Sequence, residues 1–385
     1  MSLLAIIGIV IASIFAVILI LYITIYIMSH YVYSVKNKEN RDIVNKTIII
    51  TGGTSGIGKE VVKTLYPKGA VLVFTGRSVK SAKDIIHRLK ADLHKKIKTN
   101  KTNAELVSKR LDDLKSGTWD AENHHFSSKY LHFRALDQSS LTEVKAFTDW
   151  FRGNFSSLDT LHCNAGCIVA QERKTQEGFD FAMGVTHFAH YLMVHELLDL
   201  LKNTPESRVI TTSSEVHRNR SKDNVEIDLD DFDWKKSNTK YKAFHRYSCS
   251  KLANVLFTVG LADLFTRNGW QIKAVSLHPG VVRTGFWRDL PGCLKVIACI
   301  TMPLLWTSWE GCQNSLFLIL SPWANLTNGE YYVRCKIEKM NSRAKREAYW
   351  KKFWNVSKRE MKWKGEFDCE RFEEYKVDGE WRTLK

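Results

Sequence analysis

Near residue 50 a run of β-branched residues, Thr47–Thr51, passes straight into TGGTSGIG, Thr51 to Gly58, and then into a helical period at Ile57–Leu65. A strand that turns into a helix through a glycine-rich turn constrains the chain to begin its folded body as a parallel α/β unit. Gly52, Gly56 and Gly58 let the backbone turn tightly and approach a pyrophosphate, with Thr54, Ser55 and Ile57 between and beside them. The helix that follows offers free N–H groups and its positive dipole end. A glycine-rich turn with no ligand is the plain alternative, but the strand–turn–helix setting favours a dinucleotide. After the next strand comes Thr75-Gly76-Arg77, which puts Arg77 where the adenosine ribose should lie. An acidic residue there would hold the 2′-OH of NAD, whereas a guanidinium suits the 2′-phosphate of NADP. NADP is the expected cofactor, with NAD the weaker alternative.

Strand-like runs recur at Thr47–Thr51, Ala70–Thr75, Tyr130–Leu136, Leu158–Cys163, Arg208–Thr212, Ile272–Leu277 and Glu330–Arg334. Helical periods separate them near Ile57–Leu65, Ser81–Leu93, Ser140–Phe151, Glu177–Leu201, Ala243–Thr266, Ser308–Leu320 and Ser342–Trp354. Seven such alternations predict an α/β fold, a doubly wound (Rossmann) parallel sheet with helices on both faces. One connection is long. Between Arg77 and Asp137 a single helix period gives way to polar residues around 95–125, and Lys80–Arg110 carries ten Lys/Arg against three Asp/Glu. This basic insertion reads as a solvated, partly disordered loop, with contact to anionic lipid as the sharper alternative.

The chain starts with 35 residues free of Asp, Glu, Lys and Arg, and the apolar run Leu3–Tyr33 is broken only by Gly8, Ser13, Thr24, Ser29 and His30. As a helix it reaches roughly 46 Å, enough to cross a hydrocarbon core of about 30 Å. It is too long for the apolar core of a cleaved signal peptide, and nothing basic precedes it. Residues 1–35 are therefore expected to be an uncleaved membrane anchor. Lys36, Lys38 and Arg41 follow directly, so the positive-inside bias places the body in the cytosol, with the endoplasmic reticulum as the expected membrane. Six N-x-S/T sequons, at Asn45, Asn100, Asn154, Asn219, Asn325 and Asn355, would matter only in a lumen. The eight cysteines lack CxxC spacing and read as reduced thiols, with no metal site. A net charge of +16 suits an anionic surface. No motif supports nucleic acid, and the basic insertion lacks the interleaved aromatics that stack on bases.

Tyr247 and Lys251, in YSCSK, sit four residues apart and so share one helix face. An adjacent ammonium favours the phenolate of a group that is otherwise a poor acid–base at neutral pH. Ser214, at the end of the strand RVITTSSE, could polarise a carbonyl by hydrogen bonding. The order of glycine loop, Asn164-Ala165-Gly166, Ser213-Ser214, Tyr247…Lys251 and His278-Pro279-Gly280 resembles the short-chain dehydrogenase/reductase family over roughly residues 44–360. YSCSKLANVLFT and SLHPGVVRT are most similar to its membrane-anchored retinol dehydrogenase branch.

The resemblance implies Tyr247 as acid–base, Ser214 as carbonyl anchor, and Lys251 as binder of the nicotinamide ribose and tuner of Tyr247. It implies that Asn164, Ala165, Gly166, Pro279 and Gly280 help hold the cofactor and that Asp137 accepts from the adenine. One position departs: the family's helical Asn, which supports a water relay to the Lys, falls on Thr186. After the sixth strand, Thr284–Trp309 includes the apolar stretch Cys293–Leu305 with Trp287, Trp306 and Trp309 near it, which fits an apolar substrate reached from the bilayer. The expected protein is a membrane-anchored NADP(H)-dependent oxidoreductase interconverting alcohol and carbonyl on a lipophilic substrate, a retinoid, steroid or lipid aldehyde. The alternative is a catalytically weak nucleotide-binding membrane adaptor, which Thr186 motivates. The expected organisation is an anchor at 1–35, an oxidoreductase domain at 44–360 and a charged tail at 361–385 without an assigned role. A homodimer stays open as the assembly.

Overall fold

The computed structural model describes residues 3–32, 34–98, 104–218, 225–232, 242–283, 302–365, 367 and 369–375. Most of the apolar stretch Cys293–Leu305, together with Trp287, lies outside the described residues, as do the sequons at Asn100 and Asn219. Ten strands form one sheet in the order β10-β9-β8-β7-β6-β1-β2-β5-β4-β3. Seven of them are parallel and match the seven sequence-predicted strands: β1 (Thr47–Ile50), β2 (Val71–Gly76), β5 (Leu131–Ala135), β6 (Thr160–Cys163), β7 (Ser207–Thr212), β8 (Ile272–His278) and β9 (Tyr331–Val333). The doubly wound parallel sheet expected from the alternation is the observed fold.

Alternation along the strands explains how both faces are covered. Ile48 and Ile50 of β1 face one apolar cluster and Ile49 the other; in β2 the same split separates Leu72 and Phe74 from Val73. Helices α2 (Gly56–Leu65), α3 (Val79–Lys98), α4 (Ala104–Ser116) and α9 (Ser308–Leu320) close the first cluster. Helices α5 (Leu141–Asn154), α7 (Ala189–Lys202), α8 (Ala243–Arg267) and α10 (Glu347–Gly365) close the second. The predicted helix Glu177–Leu201 starts later. Asp180 accepts from the Met183 N–H at the start of a short α6 (Phe181–Met183), and a π turn, Gly184–Phe188, leads into α7.

The basic insertion corrects the loop reading. Within it α4 buries Val107, Leu111 and Leu114, and the hairpin β3 (Thr118–Asp120) and β4 (His125–Ser127) extends the sheet antiparallel to β5. Asp113 ties the pieces together. It accepts from the Tyr66 hydroxyl at 2.6 Å, the Lys129 N–H at 2.8 Å and the Ser128 hydroxyl at 2.8 Å. Arg110 lies 3.8 Å from the centre of the Tyr130 ring and is 1% exposed. The 107–111–114 spacing was helical all along; its lysine-rich surroundings obscured it.

Beyond residue 360 the described residues continue the fold. α10 runs on to Gly365, and β10 (Lys336–Ile337) pairs antiparallel with β9. Cys369, Phe372 and Tyr375 return to the core beside Trp354 and Tyr191.

At the other end α1 (Leu3–Ile27) has no charged residue, and its described side chains are exposed on every side, Phe15 by 67%. At 1.5 Å per residue its 25 residues reach about 37 Å, long enough and apolar enough to cross a bilayer. The buried helix α8 is similar in length but belongs to the core. Among the described residues, Cys163, Cys167, Cys249, Cys312, Cys335 and Cys369 form no disulfide.

Because Phe372 is fully buried against Tyr191, Trp354 and Phe257, Phe372→Ala should lower unfolding stability by about 3–5 kcal/mol. Denaturant unfolding of the purified protein checks this; a loss below about 1 kcal/mol would mean that the C-terminal segment is not part of the core.

Candidate active site

Six of the seven parallel strands, all but β9, deliver a sequence-predicted residue just past the C-terminal end, so these residues gather along one edge of the sheet. After β1 the chain turns through Gly52 (φ +64°) and Gly56 (φ +52°), a backbone region that favours glycine. A Cβ on Gly58 would lie 2.5 Å from the Gly52 carbonyl oxygen, and one on Gly52 would lie 3.1 Å from Ala165 Cα. The loop therefore folds this tightly only with glycine at Gly58. Ser55 occupies the N-cap of α2 in extended conformation without a side-chain capping bond, so it does not occupy the helix's first N–H groups. Thr54 is buried under Gly76, and Ile57 lies near Gly311 of α9. Arg77 follows β2 and is exposed. Asp137 follows β5, and its Oδ1 accepts from the Ser139 N–H and hydroxyl, both at 2.9 Å.

Asn164 and Ala165 follow β6. Their N–H groups donate to Thr51 Oγ1 at 2.9 and 3.0 Å, and Asn164 Nδ2 donates to the Thr51 carbonyl at 2.8 Å. This stitches the end of β1 to the end of β6, where the strand order reverses. Glycine-lined space beside a helix N-terminus, with a guanidinium at the end of β2, fits a dinucleotide phosphate and ribose.

Ser214, Tyr247 and Lys251 come together. Ser214 ends β7 and hydrogen-bonds the Tyr247 side chain. Lys251, one turn further along α8, donates to the Thr212 carbonyl at 2.9 Å and sits 5.5 Å from the centre of the Tyr247 ring. Ser213 Oγ donates to the Lys251 carbonyl at 2.7 Å and fixes that turn. Burial pushes the Lys251 ammonium down to about 8 and raises the Tyr247 phenol above its ordinary value. The adjacent ammonium expected to favour the phenolate is outweighed here by burial; the opposing influence on Tyr247 is its hydrogen bond to Ser214. Tyr247 is thus a protonated phenol at neutral pH, hydrogen-bonded to Ser214.

A Cβ on Gly166 would lie 2.9 Å from Lys251 Nζ and 3.2 Å from Thr186 Oγ1, so Lys251 and Thr186 border one hollow. The Thr186 hydroxyl is fully buried without a hydrogen-bond partner. Its carbonyl is taken by His190 Nδ1 at 2.8 Å. His190 Nε2 then accepts from Gln138 Nε2 at 3.0 Å and from the Thr51 hydroxyl at 2.9 Å. Burial holds this ring neutral, pushing it down to about 4.

Gly280 follows Pro279 at the end of β8 with φ +90°, and a Cβ there would strike the Trp306 ring at 2.2 Å. Sequence reasoning missed two supports. His217 Nδ1 donates to the Ser214 carbonyl at 2.5 Å, and Asn341 Nδ2 donates to the His217 carbonyl at 2.7 Å. No local signal joins positions 124 residues apart. Cys167 also lies close enough to Lys251 and Tyr247 to perturb both.

Comparison with known proteins agrees with this geometry. The family model described as short chain dehydrogenase matches residues 46–114 and 100–225. Human retinol dehydrogenase 14 is 30% identical over 315 residues, covering 81% of this chain and 85% of that protein. Human retinol dehydrogenase 12 is 29% identical over 320 residues, covering 83% and 87%. Among solved structures, an uncharacterized protein from Mycobacterium paratuberculosis superposes with a TM-score of 0.59 at 22% identity, covering 84% of this chain and 95% of that one. A short-chain dehydrogenase/reductase from Brucella melitensis superposes with a TM-score of 0.51 at 17% identity, covering 76% and 96%. A strand–glycine–helix entry, a stitched switch point and a Ser–Tyr–Lys cluster on the sheet edge have one common owner: the chain belongs to the short-chain dehydrogenase/reductase family, NAD(P)-dependent oxidoreductases that act on CH–OH groups.

Proposed function

We propose that the protein is a membrane-anchored, NADP(H)-dependent reductase of lipophilic carbonyl compounds, a retinoid, steroid or lipid aldehyde. The observation that carries this reading is the Ser214–Tyr247–Lys251 cluster, with a protonated Tyr247 held by Ser214. Residues 1–35 act as the anchor and 44–360 as the oxidoreductase unit. Lys36, Lys38 and Arg41 after the uncharged helix support an orientation with the body in the cytosol, and the endoplasmic reticulum is the membrane assigned to it.

The cofactor site is assigned to Gly52, Thr54, Ser55, Gly56, Ile57 and Gly58 for the pyrophosphate, and to Arg77 for the 2′-phosphate. Asp137 serves the adenine, and Asn164, Ala165, Gly166, Pro279 and Gly280 line the nicotinamide half. When bound, the nicotinamide supplies the hydride. Ser214 and Tyr247 bind the substrate oxygen, and Tyr247 O–H gives its proton to that oxygen as the carbonyl carbon becomes an alcohol carbon. Lys251 holds the nicotinamide ribose and returns Tyr247 to its working protonation state through the hollow beneath Gly166. The alcohol-to-aldehyde direction uses the same groups in reverse, with Tyr247 receiving the proton.

The adaptor reading keeps one supporting observation, the unpartnered Thr186 hydroxyl in place of an Asn. A threonine hydroxyl is shorter than an amide and supports a water relay less well, so the relay to Lys251 is weakened rather than removed.

Three outcomes are expected. NADPH binds at least tenfold tighter than NADH, and Arg77→Asp erases or reverses that preference; equal affinities by calorimetry in the unmutated protein would refute the 2′-phosphate assignment. Tyr247→Phe leaves fold and NADPH binding intact while turnover falls by about 10²–10⁴. In the same assay Thr186→Asn should match or exceed the wild type, and wild-type turnover that persists in Tyr247→Phe would defeat the assigned roles. In sealed microsomes the body is protease-accessible, and the exposed sequons Asn154 and Asn325 carry no glycan; a glycosidase-sensitive mass shift would overturn the orientation.

A further inference from the structure

The far end of α1 does not stand clear of the body. Its last turn widens into a π turn, Met28–Val32, and docks on the segment ahead of α9. The Ser29 hydroxyl donates to the Leu304 carbonyl at 2.8 Å, and the Trp306 indole N–H donates to the Ser29 carbonyl at 3.0 Å. His30 Nδ1 lies 2.8 and 3.0 Å from the two carboxylate oxygens of Glu310, and Nε2 lies 2.8 Å from the Pro303 carbonyl. Both ring nitrogens face oxygen acceptors. The His30 and Glu310 side chains are about one-tenth exposed, 10% and 11%, so this is not a loose surface pair. Glu310 is itself fixed by the capping box of α9, where its carboxylate accepts from the Thr307 N–H at 2.7 Å and hydroxyl at 2.9 Å. Ser29 and His30 are the last two polar interruptions of the apolar run.

Behind this contact lies a cavity of about 460 Å³. One wall is the anchor itself, Thr24, Ile25, Met28 and Ser29. Leu304, Leu305 and Trp306 also line it, together with His278, Pro279, Gly280 and Glu215, the neighbour of Ser214. Its size falls within the range of about 300–1,000 Å³ usual for small-molecule sites. The Trp306 ring packs on Gly280 while its N–H holds Ser29, so one side chain connects the anchor to the loop beside the proposed nicotinamide site.

We infer that the anchor is a wall of the substrate chamber, latched to the body by His30 and Glu310, and that the chamber takes the apolar chain of a long lipophilic aldehyde or alcohol. This rests on the reductase reading above and deepens it. A chamber walled by a helix that is itself apolar and lipid-length admits an apolar chain from the bilayer side without exposing it to water. His30 and Glu310 are positioning residues: they touch no substrate, and they act by keeping Ile25 and Met28 opposite Leu305.

The test uses the full-length protein in phosphatidylcholine vesicles with NADPH. KM is measured for hexadecanal carried in the vesicles and for water-soluble 4-nitrobenzaldehyde. In His30→Ala the ratio of the two KM values should rise five- to twentyfold, with kcat for hexadecanal within twofold of wild type. Trp306→Phe, which removes the indole donor to Ser29 together with part of the ring that packs on Gly280, should move the ratio in the same direction. Independently, a Ser29→Cys/Leu304→Cys pair should cross-link with a short bis-maleimide in the wild-type background and lose most of that cross-linking when His30→Ala is added. An unchanged KM ratio in both single variants, or absence of the cross-link, would overturn the proposal. A wild type that reduces neither aldehyde while binding NADPH would refute the reductase reading and the chamber's role together, whereas turnover of both aldehydes with an unchanged ratio refutes the latch alone.

Discussion

The site depends on the hydroxyl of Thr51. It receives the N–H groups of Asn164 and Ala165 and lies within hydrogen-bond distance of His190, at the point where the chain leaves β1 for β2 on one side and later returns to β6 on the other. A parallel sheet whose order reverses must leave a crevice at the carboxyl ends of the two diverging strands. Here that crevice is held open by a buried network in which neutral His190 uses both ring nitrogens, toward the Thr186 carbonyl and toward Thr51 and Gln138. The glycine turn occupies one side of it and the Asn164–Gly166 segment the other. Without the stitch, the two halves of the sheet edge would have no fixed spacing across which to hold a dinucleotide.

Polar groups along this edge are buried, and burial sets their chemistry. Desolvation disfavours charge, which keeps the Tyr247 phenol protonated and makes the Lys251 ammonium easier to neutralise. Two groups of similar proton affinity in water are thereby moved apart, so that the phenol holds its proton more tightly than the ammonium does. Their positions come from strand ends and backbone carbonyls: Thr212 accepts from both Lys251 and Asn254, and Ser213 holds the backbone of α8. The supports for Ser214, His217 and Asn341, come from a different layer of the molecule. Among the described residues the Thr186 hydroxyl, like Asn254 Oδ1, is buried without a hydrogen-bond partner, and it borders the hollow shared with Lys251.

The anchor and the C-terminal segment are tied to the body by quite different forces. Phe372 and Tyr375 enter an aromatic cluster with Trp354, Phe257 and Tyr191, where apolar area and ring packing dominate. The end of α1 is held instead by a few directed hydrogen bonds around Trp306 and Glu310. Such bonds fix orientation closely while burying little area.

Much of this was determined by the sequence by itself. Seven β-rich runs separated by helical periods became the seven parallel strands, because strand burial on both faces demands continuous apolar runs, as in Thr47–Ile50. TGGTSGIG, Tyr247…Lys251 and the uncharged first helix were equally legible, since each depends on residues a few positions apart. The α4–β3–β4 insertion was misread because its three apolar helix positions are diluted by lysines, and Asp113, which binds it to Tyr66 and Lys129, is a long-range partner. The tail's place in the core, the Asn341–His217–Ser214 brace and the His30–Glu310 contact were decided only by the tertiary structure. Each joins residues between 100 and 300 positions apart or depends on such a joint, and no local period or spacing encodes which distant polar group will meet another; only the packed sheet and its helices bring them within 3 Å.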